Sequence, residues 1–195
     1  MNFILASKSP RRREILQNLG IRFQTVTTDT DESSDLTDPC ELVRELSLRK
    51  GLAVRDLLLD RGEDLSDTVI IASDTVVACD GKILGKPADA DDASRMLHML
   101  SGRQHDVISG IALISADRSA VSHDVTHVRF APLTEEQIAF YLRSEEPYDK
   151  AGAYAIQGLA SMWIEGIDGC YFNVVGLPVH KMCTLFEQTF QKPIL

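Results

Sequence analysis

The chain has 195 residues, of which 44% are hydrophobic and 25% charged, and its formal net charge is −9. This length supports one good-sized hydrophobic core, so we expect a single domain over residues 1–195. The acidic balance argues against a broad electrostatic grip on nucleic acid or on an anionic membrane surface. Positive charge has to act locally here, and a small anionic ligand suits local charge better than a polymer does.

The cysteines and the N-terminal segment indicate a cytoplasmic protein. We expect inert thiols in a reducing compartment, because the cysteines form no CxxC pair and have no histidine at metal-binding spacing. The apolar stretch FILA is too short for the core of a signal peptide, and no stretch approaches the roughly 20 apolar residues that cross a bilayer. The cysteines are Cys40, Cys79, Cys170 and Cys183.

Strands and helices alternate irregularly along the chain. Apolar residues three and four positions apart predict helices, and runs rich in β-branched residues predict strands. The predicted elements, in order, are strand 3–6, helix 9–20, strand 23–27, helix 41–59, strand 68–79, helix 90–100, a hairpin of 105–115 and 119–130, helix 134–144, a hairpin in MWIEGIDGCYF and a helix in LPVHKMCTLFEQTF. Hairpins in the second half predict an α/β fold with a mixed sheet and flanking helices, not a doubly wound parallel sheet.

Short local signals set several of these boundaries. Ser9-Pro10 provides an N-cap serine and a proline at the first helical position. Asp80-Gly81 is a strong two-residue hairpin signal. Thr134 to Gln137 form a capping box. Gly51 weakens the middle of the long helix, because glycine loses the most conformational freedom on folding.

Three consecutive arginines, Arg11 to Arg13, stand in the first turn of the first helix. Cations there face the positive end of the helix dipole, at a cost of about 0.3–1 kcal/mol each when exposed. They could simply be solvated, but the unpaired N–H groups of a helix start and the hydroxyls of Ser7 and Ser9 favour a bound anion. Arg12 is placed on the inward face, because apolar residues follow it by three, four and seven positions.

A second polar group surrounds Asp74, inside the apolar run VIIASDTVVA. A carboxylate there is costly unless it is paired, hydrogen-bonded or metal-bound; a solvent-facing strand bulge is the alternative. Lys86 follows the next hairpin, and Lys50 and Lys150 are weaker candidates. The chain has no GxSxG, HExxH or Walker A motif, and no GxGxxG that opens a helix. Cations with one or two carboxylates suit phosphoanhydride chemistry with a divalent metal ion.

Several segments together resemble the signature segments of the Maf family of nucleoside triphosphate pyrophosphatases. In order, over about residues 3–185, they are ASKSPRRREIL, ASDTVVACDGKILGKP, MLHMLSGRQHDVISG, EEPYDKAGAYAIQG and NVVGLP. The resemblance implies an elongated mixed α/β fold, related to the inosine triphosphate pyrophosphatases, with two lobes around a nucleotide cleft. It also implies Mg²⁺- or Mn²⁺-dependent cleavage between the α and β phosphates, giving a monophosphate and pyrophosphate, and a homodimer.

The resemblance also implies the polar residues of the site: Ser7, Arg12, Glu32, Lys50, Asp74 and Lys86. Asp74 is the implied catalytic base. Our hypothesis is that Asp74 and Glu32 together hold the divalent metal ion. Since an ordinary aspartate is a weak base, Asp74 could instead be chiefly a metal ligand. Arg12, Thr75 and Gln157 are similar to the branch that acts on dTTP and UTP and differ from the branch that acts on 7-methyl-GTP. The amide of Gln157 can both donate to and accept from a uracil or thymine edge.

Two other classes of function stay open at this point. One is a nucleotide-binding regulator of septum formation with little turnover, which the intact Asp74, Lys86 and Glu32 disfavour. The other is a nucleic-acid-binding module that uses the arginine cluster, which the acidic balance and the lack of aromatic stacking platforms disfavour. Gly51 departs from the alanine usual in the family and is expected to loosen the helix that carries Lys50.

Overall fold

The computed structural model describes all 195 residues, Met1–Leu195. The strands are β1 (Asn2–Leu5), β2 (Phe23–Thr25), β3 (Thr68–Cys79), β4 (Lys82–Leu84), β5 (Gln104–Ile114), β6 (Ser119–Phe130) and β7 (Ile164–Asp168). The α-helices are α1 (Pro10–Asn18), α2 (Pro39–Asp60), α3 (Ala90–Leu100), α4 (Glu135–Leu142), α5 (Tyr171–Val175) and α6 (Val179–Phe190). Short 3-10 helices cover Pro147–Asp149, Ala151–Ala153 and Leu159–Trp163. None of the helices is both long enough and apolar enough to cross a lipid bilayer.

The strands form one mixed sheet in the order β2-β1-β3-β5-β6-β7, with β4 paired to β3. β1 runs parallel to both neighbours, so that Phe3 lies opposite Phe23 on one side and Val69 on the other. The β3–β4 and β6–β7 pairs are antiparallel. The predicted α/β fold with a mixed sheet and flanking helices is confirmed.

The chain divides into two compact units. Unit 1 comprises Met1–Asp74, Ser109–Asp124 and Gly176–Leu195, and unit 2 comprises Thr75–Ile108 and Val125–Val175. Unit 1 therefore contains β1, β2, α1, α2 and α6, and unit 2 contains β4, β7 and α3 to α5; the long strands β3, β5 and β6 each contribute to both units. The single domain over residues 1–195 stays a prediction.

In unit 1, helix α2 lies directly against the sheet. A Cβ added at Gly51 would overlap the side chain of Ile114, and one added at Gly110 would overlap the backbone carbonyl of Val43. α2 continues unbroken through Gly51. Glycine at this position therefore has a packing role, which its low helix propensity alone does not predict. The buried residues of this core include Ile4, Val54, Leu58, Ile70, Ala72 and Ile114.

In unit 2, the rings of Phe130 and Tyr154 pack edge to face against His105. Its ring centroid lies 5.2 Å from that of Phe130 and 5.4 Å from that of Tyr154. The Nε2 atom of His105 is 2.8 Å from the hydroxyl of Tyr154. Burial lowers the pKa of His105 to about 4, so the imidazole is neutral at neutral pH. His105 is therefore a core residue.

Several helix and strand boundaries lie where the local sequence signals predict them. Ser9 is the N-cap of α1, and its hydroxyl accepts from the backbone N–H of Arg12. The Thr134 capping box opens α4 with both of its hydrogen bonds formed. Asp80 and Gly81 both have positive φ, 49° and 72°, as a tight hairpin between β3 and β4 requires.

The hairpin predicted in MWIEGIDGCYF is wrong. Only its first half is a strand, β7, and that strand pairs with β6. Gly169 follows with a φ of 126°, a left-handed value that favours glycine, and the chain then enters α5. The backbone N–H of Cys170 donates to the hydroxyl of Thr126 at 3.0 Å, so the turn is fixed by a residue remote in sequence.

Candidate active site

The centre of the candidate site is the ammonium group of Lys50, on α2. It donates to the carboxylate of Asp74, on β3, and it lies 2.8 Å from an oxygen of Glu32. Asp74 is buried, whereas Glu32 is exposed on the loop before α2. Two carboxylates thus converge on one cation, and all three residues belong to unit 1.

The position of Asp74 agrees with the expectation for a carboxylate inside an apolar strand. The residue is 8% exposed and every residue that precedes it on β3 is buried, which excludes a solvent-facing bulge. Removing a carboxylate from water costs several kcal/mol unless a partner compensates the charge. Lys50 provides that compensation.

Arg12 is half-buried in the first turn of α1, and its guanidinium holds three oxygen atoms. Nε donates to the carbonyl of Gly176 at 2.7 Å, and Nη1 donates to the carbonyl of Ser73 at 2.7 Å and to the hydroxyl of Ser7 at 3.1 Å. Burial lowers the pKa of Arg12, and the negative charge of Asp74 opposes that effect. Arg12 points inward, as the helical spacing predicts, and it connects α1 to the residue before the buried carboxylate.

The serines of the same loop organise the start of the helix. Ser7 is buried, and its hydroxyl oxygen also accepts from the backbone N–H of Ser9 at 3.2 Å. A hydroxyl that accepts in this way keeps its own O–H to donate. Of the other two arginines, Arg13 is exposed and Arg11 is half-buried. The loop is therefore built around Arg12, with Ser7 as its polar neighbour.

Arg49 fixes the loop that carries Glu32, and the sequence analysis did not single it out. Its Nη1 donates to the backbone carbonyls of Asp31 at 2.7 Å and Ser33 at 2.9 Å, on either side of Glu32. Its Nη2 pairs with Glu45 one helical turn earlier. The carbonyls lie 18 and 16 residues away in sequence, so no local pattern indicates these contacts.

The remaining predicted site residues, Thr75, Lys86 and Gln157, belong to unit 2. Thr75 directly follows Asp74 and is half-buried, whereas Lys86 and Gln157 are exposed. The backbone N–H of Gly152 donates to the carbonyl of Gly85 at 3.0 Å, which joins the loop of Lys86 to the segment that leads to Gln157. The roles of these three side chains stay predictions.

Glu32 and Asp74 fit the donor set that Mg²⁺ takes from proteins. Both carboxylates already share one cation, the ammonium of Lys50. Mg²⁺ is usually held by one or two carboxylates, with waters and substrate phosphates as its other ligands. No group of three or more His, Cys, Asp or Glu side chains in the structure could hold a metal ion. The pair therefore suits Mg²⁺ or Mn²⁺ better than a closed structural zinc site.

The chain belongs to the Maf-like protein family, whose family model matches residues 2–189. This confirms the resemblance that the sequence segments indicate. The match includes the N-terminal arginines, the strand that carries Asp74 and the segment that holds Gln157.

Two relatives of this chain are each named dTTP/UTP pyrophosphatase. The chain is 47% identical over 192 residues to the dTTP/UTP pyrophosphatase of Symbiobacterium thermophilum, covering 98% of this chain and 95% of that protein. It is 44% identical over 192 residues to the dTTP/UTP pyrophosphatase of Caldanaerobacter subterraneus, covering 97% and 90%. Among solved structures, the Staphylococcus aureus Ham1 protein matches with a TM-score of 0.49 and 13% identity, covering 67% of this chain and 72% of that one.

Proposed function

We propose that this protein is a metal-dependent nucleoside triphosphate pyrophosphatase that acts on dTTP and UTP. It cleaves between the α and β phosphates and releases a nucleoside monophosphate and pyrophosphate. The observation that carries the proposal is the convergence of Asp74 and Glu32 on Lys50, beside the helix start that Arg12 anchors. The dTTP/UTP pyrophosphatases at 47% and 44% identity support the choice of substrate.

The phosphate chain binds to local positive charge. The first turn of α1 contains no acidic residue, so no carboxylate of that turn competes with an anion bound at the helix start. An anion at this position benefits from the positive end of the helix dipole. Ser7, Arg12, Lys50 and Lys86 are the side chains that bind phosphate oxygens in this proposal.

Asp74 and Glu32 are the residues that would hold the divalent ion. When bound, such an ion neutralises phosphate charge and lowers the pKa of a coordinated water. Asp74 orients the water that attacks the α phosphorus or accepts its proton. Lys50 offsets one of the two negative charges of these carboxylates, so that a highly charged anion can approach them at a lower electrostatic cost.

The base is recognised by Gln157, with Thr75 and Arg12 as the other specificity positions. The exposed amide of Gln157 offers one acceptor and two donors, which match the alternating carbonyl and N–H groups of uracil and thymine. Guanine also presents a carbonyl beside an N–H, so the choice of a pyrimidine rests on the dTTP/UTP pyrophosphatases among the relatives.

The proposal is tested by assaying pyrophosphate and monophosphate after incubation with dTTP, UTP, CTP, ATP or GTP, each with Mg²⁺, Mn²⁺ or a chelator. We expect pyrophosphate together with dTMP or UMP, in the presence of metal only, with dTTP and UTP preferred. Release of orthophosphate would contradict cleavage at the α phosphorus. Tight UTP binding without turnover would contradict the proposal and favour the regulator.

A further inference from the structure

One carboxylate and one phenol hold the loop that carries Gln157, and all of these residues belong to unit 2. The hydroxyl of Tyr141 donates to Glu146 Oε1 at 2.7 Å, and the backbone N–H of Leu159 donates to Glu146 Oε2 at 2.9 Å. The backbone N–H of Ala155 donates to the oxygen of Tyr141 at 3.3 Å. The two backbone groups that are held lie two positions before and two positions after Gln157.

The carboxylate of Glu146 also packs against Gly158, the residue after Gln157. A Cβ added at Gly158 would overlap both oxygens of that carboxylate. The φ of Gly158 is −110°, a value that any residue adopts. Glycine is therefore needed at this position for space and not for backbone conformation. A larger residue at this position would displace the Glu146 carboxylate.

The support under this loop is buried, whereas the side chain that it presents is not. Tyr141 is fully buried, and its ring packs edge-on against Trp163 with the centroids 5.5 Å apart. Burial and the contact with Glu146 raise the pKa of the Tyr141 hydroxyl, which keeps its proton and remains a donor. Gln157 itself is exposed. A buried support thus carries the exposed amide of Gln157.

We propose that Glu146 is a positioning residue for base recognition, which acts through Gln157 with Tyr141 as its support. The inference rests on the function proposed above, in which Gln157 contacts the pyrimidine. A loop that is ordered before the ligand arrives costs less entropy on binding, so the gain appears as affinity. That gain concerns the base, because the contacts of the Glu146 side chain lie around Gln157. Of the phosphate-binding residues, Ser7, Arg12 and Lys50 belong to unit 1. Lys86 belongs to unit 2, and its loop is held by the backbone N–H of Gly152.

The test compares the binding of two ligands by calorimetry in the presence of Mg²⁺. One is α,β-imido-UTP, which resists cleavage at the α–β position, and the other is inorganic tripolyphosphate, which has no base. Glu146→Gln replaces one acceptor oxygen with an NH₂ donor, and Tyr141→Phe removes the hydroxyl but keeps the buried ring. We expect each variant to weaken α,β-imido-UTP binding about tenfold, the effect of losing one well-placed hydrogen bond. Tripolyphosphate affinity should stay within about twofold.

Glu145→Gln is the matched control, because it makes the same chemical change at the neighbouring exposed residue. It should leave both affinities unchanged. In a Gln157→Ala background, Glu146→Gln should add less than about twofold, because the two changes remove the same interaction. A full additional tenfold loss would contradict action through Gln157.

Unchanged α,β-imido-UTP affinity in both Glu146→Gln and Tyr141→Phe overturns the inference. An equal loss for tripolyphosphate also overturns it, since that result indicates a general structural defect. If Glu146→Gln does not fold, Tyr141→Phe decides the question, because it leaves the packing of the core intact. The readout is binding, so a wild-type protein that binds α,β-imido-UTP but releases no pyrophosphate from UTP would refute the proposed function and still allow this test.

Discussion

Arg12 combines two roles that usually belong to different residues. Its guanidinium holds the carbonyls of Gly176 and Ser73 and the hydroxyl of Ser7, which makes it a structural anchor. The same side chain lies at a helix start where we propose that phosphate binds. The electrostatic penalty of a cation in the first turn is thus partly offset within the protein, since Asp74 lies close enough to favour the charged form of Arg12.

Arg12→Lys is expected to lower the free energy of unfolding by about 1–3 kcal/mol, because an ammonium cannot reproduce a fork that holds three acceptors. Urea denaturation measures this change. The exposed neighbour Arg13 provides the control, and Arg13→Lys should change the free energy of unfolding by less than about 0.5 kcal/mol. Equal effects at the two positions would show that Arg12 is not an anchor.

Arg49→Lys is expected to weaken the response to metal. A lysine cannot hold the carbonyls of Asp31 and Ser33 together, so the loop that carries Glu32 loses its fixed position. We expect the Mg²⁺ concentration for half-maximal activity to rise about three- to tenfold, with kcat at saturating Mg²⁺ nearly unchanged. A titration of activity against Mg²⁺ measures this.

Arg55→Lys, on the same helix, is the control for Arg49→Lys, because the guanidinium of Arg55 donates only to the adjacent Asp56. It should leave the Mg²⁺ response unchanged. If Arg49→Lys also leaves it unchanged, either the loop does not depend on Arg49 or Glu32 is not a metal ligand.

At the level of elements, the contact of α2 with the sheet determines where Lys50 lies. Glycines on both sides of this contact, Gly51 on the helix and Gly110 on β5, allow the close approach. A helix that stood further from the sheet would move Lys50 away from Asp74. The small residues of this interface therefore contribute to the geometry of the candidate site.

Gly110→Ala is expected to destabilise the protein by about 1–3 kcal/mol, because its new methyl group would overlap the backbone carbonyl of Val43. Gly51→Ala should cost less, since the overlapping atom is the end of the Ile114 side chain and alanine gains about 1 kcal/mol of helix propensity. Combining Gly51→Ala with Ile114→Val removes that overlapping methyl and should recover part of any loss. Thermal unfolding measures these differences, and a larger loss for Gly51→Ala than for Gly110→Ala would contradict the packing explanation.

Much of the fold could be predicted from the sequence because its signals are local. The strand at 68–79 and the caps at Ser9 and Thr134 depend on residues within a few positions of one another. The partner of β7 could not be predicted, since β6 lies more than 30 residues earlier in the chain. A turn residue such as Gly169 indicates that a strand ends but does not identify its neighbour.

Some features of the candidate site could likewise be predicted from the sequence, and others could not. The buried position of Asp74 could be predicted from the apolar residues around it, and the inward direction of Arg12 from helical spacing. The pairing of Lys50 with Asp74 spans 24 residues, and the contacts of Arg49 and Glu146 likewise join separate elements. These contacts exist only after the sheet and helices have packed, so the sequence pattern does not contain them.

For the whole molecule, His105 makes stability depend on pH. Burial lowers its pKa from 6.5 to about 4, so the unfolded chain binds a proton more readily than the folded one. The stability that depends on neutral His105 is fully present above about pH 7 and is lost as the pH falls from 6.5 towards 4. We expect this group alone to cost about 2 kcal/mol between about pH 7 and pH 5.

Urea denaturation at pH 7 and pH 5 measures this effect. Fluorescence of Trp163, the single tryptophan, reports on unit 2, which also contains His105. His105→Gln should lose about 2 kcal/mol of the pH dependence of the wild type. The same pH dependence in both proteins would show that His105 is protonated at an ordinary pH in the folded state.

We propose that Asp74 supports cleavage of a pyrimidine triphosphate at the α phosphorus. The most direct measurement is pyrophosphate release from UTP with Mg²⁺, with wild type and Asp74→Asn compared side by side. We expect the wild type to release pyrophosphate and UMP, and the variant to lose activity by about 10²–10⁴-fold while it still binds α,β-imido-UTP. Near-normal turnover by Asp74→Asn, or no pyrophosphate from the wild type, would contradict the claim.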